Sequence, residues 1–390
     1  MTQAGPAGLL RERAGATRVT NVELFFDLVY VFAVTQLSHH LLHLPTVAGA
    51  LQTAVLLAMV WLAWAYTAWV TNWLDPGRLP VRLLLIALAL VALVMSAALP
   101  TAFGRWGLLV GGAYAVMQIG RSLFMVIVLR GRSLLANFQR ILAWCVVSGA
   151  LAVAGGIVTG PARGWLWLAA VAVDTLGGVT GFYTPGLGRS VTTEWTIEGG
   201  HLAERCQAFI LIALGESVVI IGATLSGLLA TTVTWPEIGA FVTAVVGSVG
   251  LWWLYFDRSA GEAAAVIARS ADPGRMGRTA YHLIHPVMVA GIIVVAAGDE
   301  VVLSEPGAPA AGSTAWLVLG GTALFIAGHA AFKIAVWRVV SWPRVAAIVI
   351  LALLGLAAGS LSALALGLCA TVVVLGVAIA DHWAHRQDLL

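Results

Sequence analysis

Twelve apolar runs follow one another along this 390-residue chain, and they restrict its fold more than any single motif does. They cover roughly residues 22–42, 50–73, 81–99, 106–129, 139–159, 164–182, 207–230, 236–256, 279–297, 314–338, 344–360 and 362–382. A run of about 20 apolar residues matches the thickness of a bilayer's hydrocarbon core. Inside that core no water meets backbone N–H and C=O groups, so a span of this length closes its hydrogen bonds internally as a helix. The expected fold is therefore an all-α polytopic membrane protein of about twelve helices. Composition agrees: 60% of residues are hydrophobic and 10% are charged, whereas a soluble domain carries about 25% charge. Mean hydropathy is +0.95. Gly355, Gly359 and Ser360 interrupt the last pair of runs, and eleven spans is the alternative if 344–382 forms one hairpin unit.

The basic residues test the count, because cytoplasmic loops collect Lys and Arg. With the N-terminus in the cytoplasm, eighteen of the twenty-one fall on the cytoplasmic side, two (Arg105, Arg163) outside, and Arg121 within a span. The expected topology places both termini in the cytoplasm. The same distribution explains the net charge of +3 as a topology signal, so no nucleic-acid partner is expected. Asp299, Glu300 and Glu305 fit an outer loop between spans nine and ten, and Trp73, Trp106, Trp165, Trp235 and Trp342 fall at span ends as interfacial anchors. The N-terminal stretch lacks the apolar segment of a cleavable signal peptide. Cys145, Cys206 and Cys369 lie in or beside apolar runs without zinc or disulfide spacing and read as small core residues.

An internal repeat is visible between span four, "GGAYAVMQIGRSLFMVIVLR", and span ten, "GGTALFIAGHAAFKIAVWR". Arg121, Phe124 and Arg130 match His329, Phe332 and Arg338. Weaker matches in the same order predict two six-helix halves of equal orientation. The domain boundaries that follow are a cytoplasmic tail at 1–21, a first half at 22–182, a connector at 183–206, a second half at 207–382 and a tail at 383–390.

Charges inside the spans carry the functional reading, since an ionised side chain at a helix centre costs about 2.5–3.5 kcal/mol by insertion scales. Glu23 and Asp27 stand four residues apart at the start of span one, on one helical face that must look into protein or water. His201, Glu204 and Arg205 precede span seven. Glu23 and Glu204 read as interfacial caps with ion-pair partners, joined by His201 and Arg205. Deeper charges are candidates for a transport path: Asp27, Arg121, Asp174, Glu216 and His329. Arg121 is the expected counter-ion of one carboxylate, Gly215 is expected to admit a close neighbouring helix beside Glu216, and Gln118 reads as an interhelical hydrogen-bond donor. His39 with His43, and His282 with His285, share helix faces but have no assigned third ligand, so no metal is expected. No Walker motif and no catalytic spacing such as His-Glu-x-x-His or Gly-x-Ser-x-Gly is present; neither cofactor nor enzymatic activity is expected.

Two stretches carry a family resemblance: "ELFFDLVYVFAVTQLSHHL", Glu23 to Leu41, and "HLAERCQAFILIALGESVV", His201 to Val219. Both resemble the low-temperature-requirement A (LtrA) family of bacterial membrane proteins, with Cys206 where that family's pattern has an aromatic residue. The resemblance implies a multi-pass protein of the bacterial plasma membrane and supplies no substrate. The leading functional reading is a secondary transporter of a small solute or ion, with the lipid bilayer as surroundings and Glu216 and Asp174 as proton or cation sites. The alternatives are a sensory or structural membrane protein supporting growth in the cold, and an intramembrane enzyme.

Overall fold

The computed structural model describes residues 6–11, 19–191, 199–230, 233–257, 259–310 and 312–388. Arg13, Arg18 and Arg258 of the topology count lie outside these residues. Among the described residues there is no β-strand, only three isolated bridges. Twelve long helices correspond one to one with the twelve apolar runs. They are α1 (Asn21–His43), α2 (Val47–Val70), α3 (Leu79–Ala98), α4 (Gly107–Val128), α5 (Leu135–Ile157), α6 (Pro161–Thr180), α7 (Gly199–Leu229), α8 (Trp235–Phe256), α9 (His285–Ser304), α10 (Gly321–Trp337), α11 (Trp342–Ala357) and α12 (Ala363–Asp388). Eleven of them are long and apolar enough to cross a membrane; α6, which carries Arg163 and Asp174, is the exception.

The helix starts follow local chemistry. Proline occupies the first turn of α3, α6, α8 and α11, where its missing N–H would have no intrahelical partner. Thr234 and Glu237 form a capping box on α8. Helix α6 ends at Gly181 with φ +70°, and a Cβ there would lie 2.3 Å from the Ser190 carbonyl oxygen, so the turn accepts no side chain. Large apolar residues such as Leu90, Val116 and Leu356 are exposed on the helix surfaces. In water this would be a liability; on a multi-pass membrane protein it is the lipid-facing surface.

The chain divides into two compact units, one holding residues 1–40, 47–208 and 271–275, the other 41–46, 209–270 and 276–390. The division falls inside α7. In the first unit α4 packs on α3 and α5, α5 on α6, and α2 on α4 and α6. Helices α4 and α5 touch backbone to backbone: a Cβ on Gly111 would lie 2.1 Å from the Ala152 carbonyl, and one on Gly156 would lie 2.7 Å from Leu108 Cα. In the second unit the closest packing is between α9 and α10, through Gly291, Gly321 and Gly328. Here α8 packs on α12, and α10 on α11.

Some expectations change. Asp299 and Glu300 are not in a loop: α9 runs on to Ser304, because Val302 and Leu303 continue its buried face. Trp73 is not an interfacial anchor but is buried against Phe138, whereas Trp106, Trp165, Trp235 and Trp342 are exposed. A Cβ at Gly215 would meet no atom of the described residues within 4 Å, so none of their helices approaches closely there.

Candidate functional site

The first unit contains two buried polar clusters. One begins at the start of α1. Glu23 turns back to the helix end and accepts hydrogen bonds from the Thr20 backbone N–H at 2.9 Å and hydroxyl at 2.8 Å. This is the acidic half of a capping box. The same carboxylate accepts from Arg11 at 3.0 Å to each oxygen, from Arg205 at 3.2 Å and from His201 at 2.8 Å. One turn further along, Asp27 accepts from Arg205 at 2.6 Å and from the Trp64 indole at 2.7 Å, both on Oδ1. Glu23 and Arg205 are 0% exposed and Asp27 2%.

The geometry follows from matched spacing. Residues four apart on a helix lie about 5–6 Å apart on one face, so the Glu23/Asp27 pair of α1 meets the His201/Arg205 pair at the start of α7. The Arg205 guanidinium also donates to Thr71 at 3.2 Å and lies within 6 Å of the Phe26 and Trp64 rings, as cation–π contact requires. Asn72 lies 3.4 Å from His201 Nδ1. The Arg11 guanidinium lies 3.2 Å from His201 Nε2. Arg11 and Arg205 set two guanidiniums against the two carboxylates. Glu204 stands apart: it is exposed and accepts from the Val19 backbone N–H at 3.2 Å.

The second cluster joins α4 and α6 to α2. Asp174 Oδ2 accepts hydrogen bonds from the Tyr114 hydroxyl and from Gln118 Nε2, the latter at 2.6 Å. The Asp174 carbonyl accepts from Tyr66 at 2.8 Å. The other end of the Gln118 amide accepts from Arg121. This orientation is chemically required, since a guanidinium cannot accept and a carboxylate cannot donate. Arg121 donates further to Ala63 O at 3.3 Å and Thr67 Oγ1 at 3.2 Å, and lies over the Tyr66 ring at 5.1 Å. Its Nε has no hydrogen-bond partner among the described residues. Arg121 is therefore not the direct counter-ion of a carboxylate; a neutral amide separates it from Asp174. Asp27 and Asp174 share no hydrogen-bond partner.

In the second unit, Glu216 and Ser217 are fully buried in α7. His329 is buried with Nδ1 3.3 Å from Arg344. Arg344 grips Asp381 in a two-pronged pair at 2.6 and 2.9 Å, with Lys333 3.6 Å from the same carboxylate. His285 uses both ring nitrogens, facing Tyr255 at 2.7 Å and Ala280 O at 3.0 Å. Among the described residues no group of three or more His, Cys, Asp or Glu side chains is placed to hold a metal.

Several partners were not read from the sequence. Arg11, counted only as a topology charge, is an ion-pair partner. Trp64, Tyr66 and Tyr114 sit in apolar runs and carry no signal of their own beyond an aromatic ring with a polar tip. The complementary spacing, Glu-x-x-x-Asp against His-x-x-x-Arg, was the one available sign that the two stretches pair.

Comparison with known families matches residues 18–379 to the one described as "Bacterial low temperature requirement A protein (LtrA)". The chain is also 35% identical over 340 residues to the uncharacterised protein RA0937 of Rhizobium meliloti (strain 1021), covering 86% of this chain and 82% of that protein. No solved structure matches it.

Proposed function

This chain belongs to the bacterial low temperature requirement A (LtrA) family of multi-pass membrane proteins, and we propose that it is a proton-coupled secondary transporter of a small solute or ion in the plasma membrane, both termini cytoplasmic. The observation that carries the reading is the Asp174–Gln118–Arg121 chain. A buried carboxylate bonded only to neutral donors can take up or release a proton without breaking an ion pair. Its change in charge acts on Gln118, which holds Arg121, and Arg121 holds the α2 carbonyl of Ala63 and the hydroxyl of Thr67. Protonation on α6 thereby alters the grip of α4 on α2. Coupling of this kind needs an element with two arrangements that the proton biases, and α2 is the candidate element. Glu216 is the second proposed proton site, as a buried intramembrane carboxylate is a functional candidate by default.

The test uses the purified full-length protein in liposomes loaded with a pH-sensitive dye, under imposed proton and solute gradients. Proton-linked flux is expected in the wild type, with loss in Asp174→Asn and Glu216→Gln and a marked fall in Arg121→Lys. Wild-type flux that survives Asp174→Asn and Arg121→Lys unchanged would remove this site from the mechanism.

A further inference from the structure

A third polar feature lies wholly within the second unit. Helices α8, α9 and α12 and the π-helical turn Trp316–Gly320 leading into α10 line a partly open cavity of about 20 Å³, bordered by Asp299, Thr322, Thr371, Gly247, Gly367 and Val318 among others. About 10–15 Å³ suffices for one water-sized occupant, so a single small species fits. Asp299 makes no hydrogen bond and no ion pair among the described residues, and its Oδ2 is sealed from solvent. It is the one charged residue lining the cavity.

The two threonines are poised as oxygen donors. Thr322 donates its hydroxyl proton to Val318 O at 2.8 Å, and Thr371 donates to Thr243 O at 3.4 Å. A hydroxyl has one proton and two acceptor lone pairs, so both oxygens keep lone pairs for a cation. Glycines at 247 and 367 keep side chains out of the space; a Cβ on Gly247 would approach Thr371 Oγ1 to 3.2 Å.

We propose that Asp299, Thr322 and Thr371 form a binding site for one monovalent alkali cation, sodium being the best fit. The charge decides the class. One carboxylate neutralises one positive charge, and burying an unpaired ion is costly. Calcium takes six to eight oxygen ligands, carboxylates among them, and a single carboxylate would leave it over-charged. Sodium is matched by hard neutral oxygens plus one anionic oxygen. The site stands independently of transport, because binding is measured on the resting protein.

The experiment measures the unfolding temperature of the full-length protein in detergent as chloride salts of sodium, potassium and N-methylglucamine are exchanged at constant ionic strength. A saturable sodium-dependent rise is expected, because a ligand that binds only the folded state stabilises it by mass action. The rise is lost in Asp299→Asn. In Thr371→Val, which keeps the carboxylate but removes one oxygen ligand, the half-saturating sodium concentration increases. Gly247→Ala gives the same direction by filling the space. An absent alkali-ion response in the wild type, or an equal response in Asp299→Asn, would overturn the site and leave the cavity to water and a protonated carboxyl.

Discussion

Arg205 is the residue on which the first cluster turns, and replacing it with Met tests the geometry quantitatively. Its guanidinium serves Glu23, Asp27 and Thr71 at once. Removing it affects the two carboxylates unequally. Glu23 keeps Arg11, His201 and Thr20. Among the described residues Asp27 keeps only the Trp64 indole on Oδ1, while its buried Oδ2 has no partner there. Breaking a buried ion pair by removing one member costs about 3–5 kcal/mol, because an uncompensated charge stays behind. That loss should therefore reside at Asp27. In a double-mutant cycle the coupling between Arg205→Met and Asp27→Asn should reach about 2–3 kcal/mol, near the upper end for contacting residues. The coupling between Arg205→Met and Glu23→Gln should stay near 1 kcal/mol or below, on the scale of one ordinary hydrogen bond. The assay is equilibrium unfolding of the full-length variants in mixed micelles under one set of conditions. Arg205/Asp27 coupling below about 0.5 kcal/mol, the limit of additivity, or equal coupling to both carboxylates, would refute the assignment.

Two further perturbations bear on packing and on the same carboxylate. Gly111→Ala should destabilise by about 1–3 kcal/mol as overpacking does, because its Cβ would meet the Ala152 carbonyl. Gly112→Ala, next in the chain, meets nothing within 4 Å and should be neutral or slightly stabilising in the same unfolding measurement. Trp64→Phe removes one of the two donors to Asp27 and should cost about 1.5–3 kcal/mol, the range for hydrogen bonds to charged groups. Unchanged stability would show that the indole contact contributes nothing.

The fold was legible because membrane helices obey few rules. Apolar runs of fixed length and the sidedness of the basic residues placed the twelve helices. One error came where a helix end carries charge. Asp299 and Glu300 look like loop residues by composition, yet Val302 and Leu303 hold the turn inside the helix. The contents of the clusters were half legible. A carboxylate in a span signals that a partner exists, without saying which of several arginines supplies it. Arg121 was the natural choice by depth, and it contacts Gln118 instead. Tyr114, Tyr66 and Trp64 are apolar by most of their surface, and only packing reveals that their polar tips converge on Asp174 and Asp27.

The contrast between the two clusters of the first unit bears on which carboxylates can work as switches. Asp27 and Glu23 are conspicuous acids in the sequence, at the head of the first family-like stretch. Their positive partners touch them, two guanidiniums against two carboxylates. Adding a proton to Asp27 would break its 2.6 Å pair and leave part of the Arg205 charge uncompensated in a buried site. Asp174 has no cation in contact. Its proton state changes the balance of bonds to Tyr114 and Gln118, both neutral, and only then reaches Arg121. A group that gains or loses a proton at low structural cost is suited to cycling; a group locked in a balanced ion pair is suited to holding helices together. On that physical ground the start of α1 clasps the start of α7, and the coupling acid of the first unit is sought on α6.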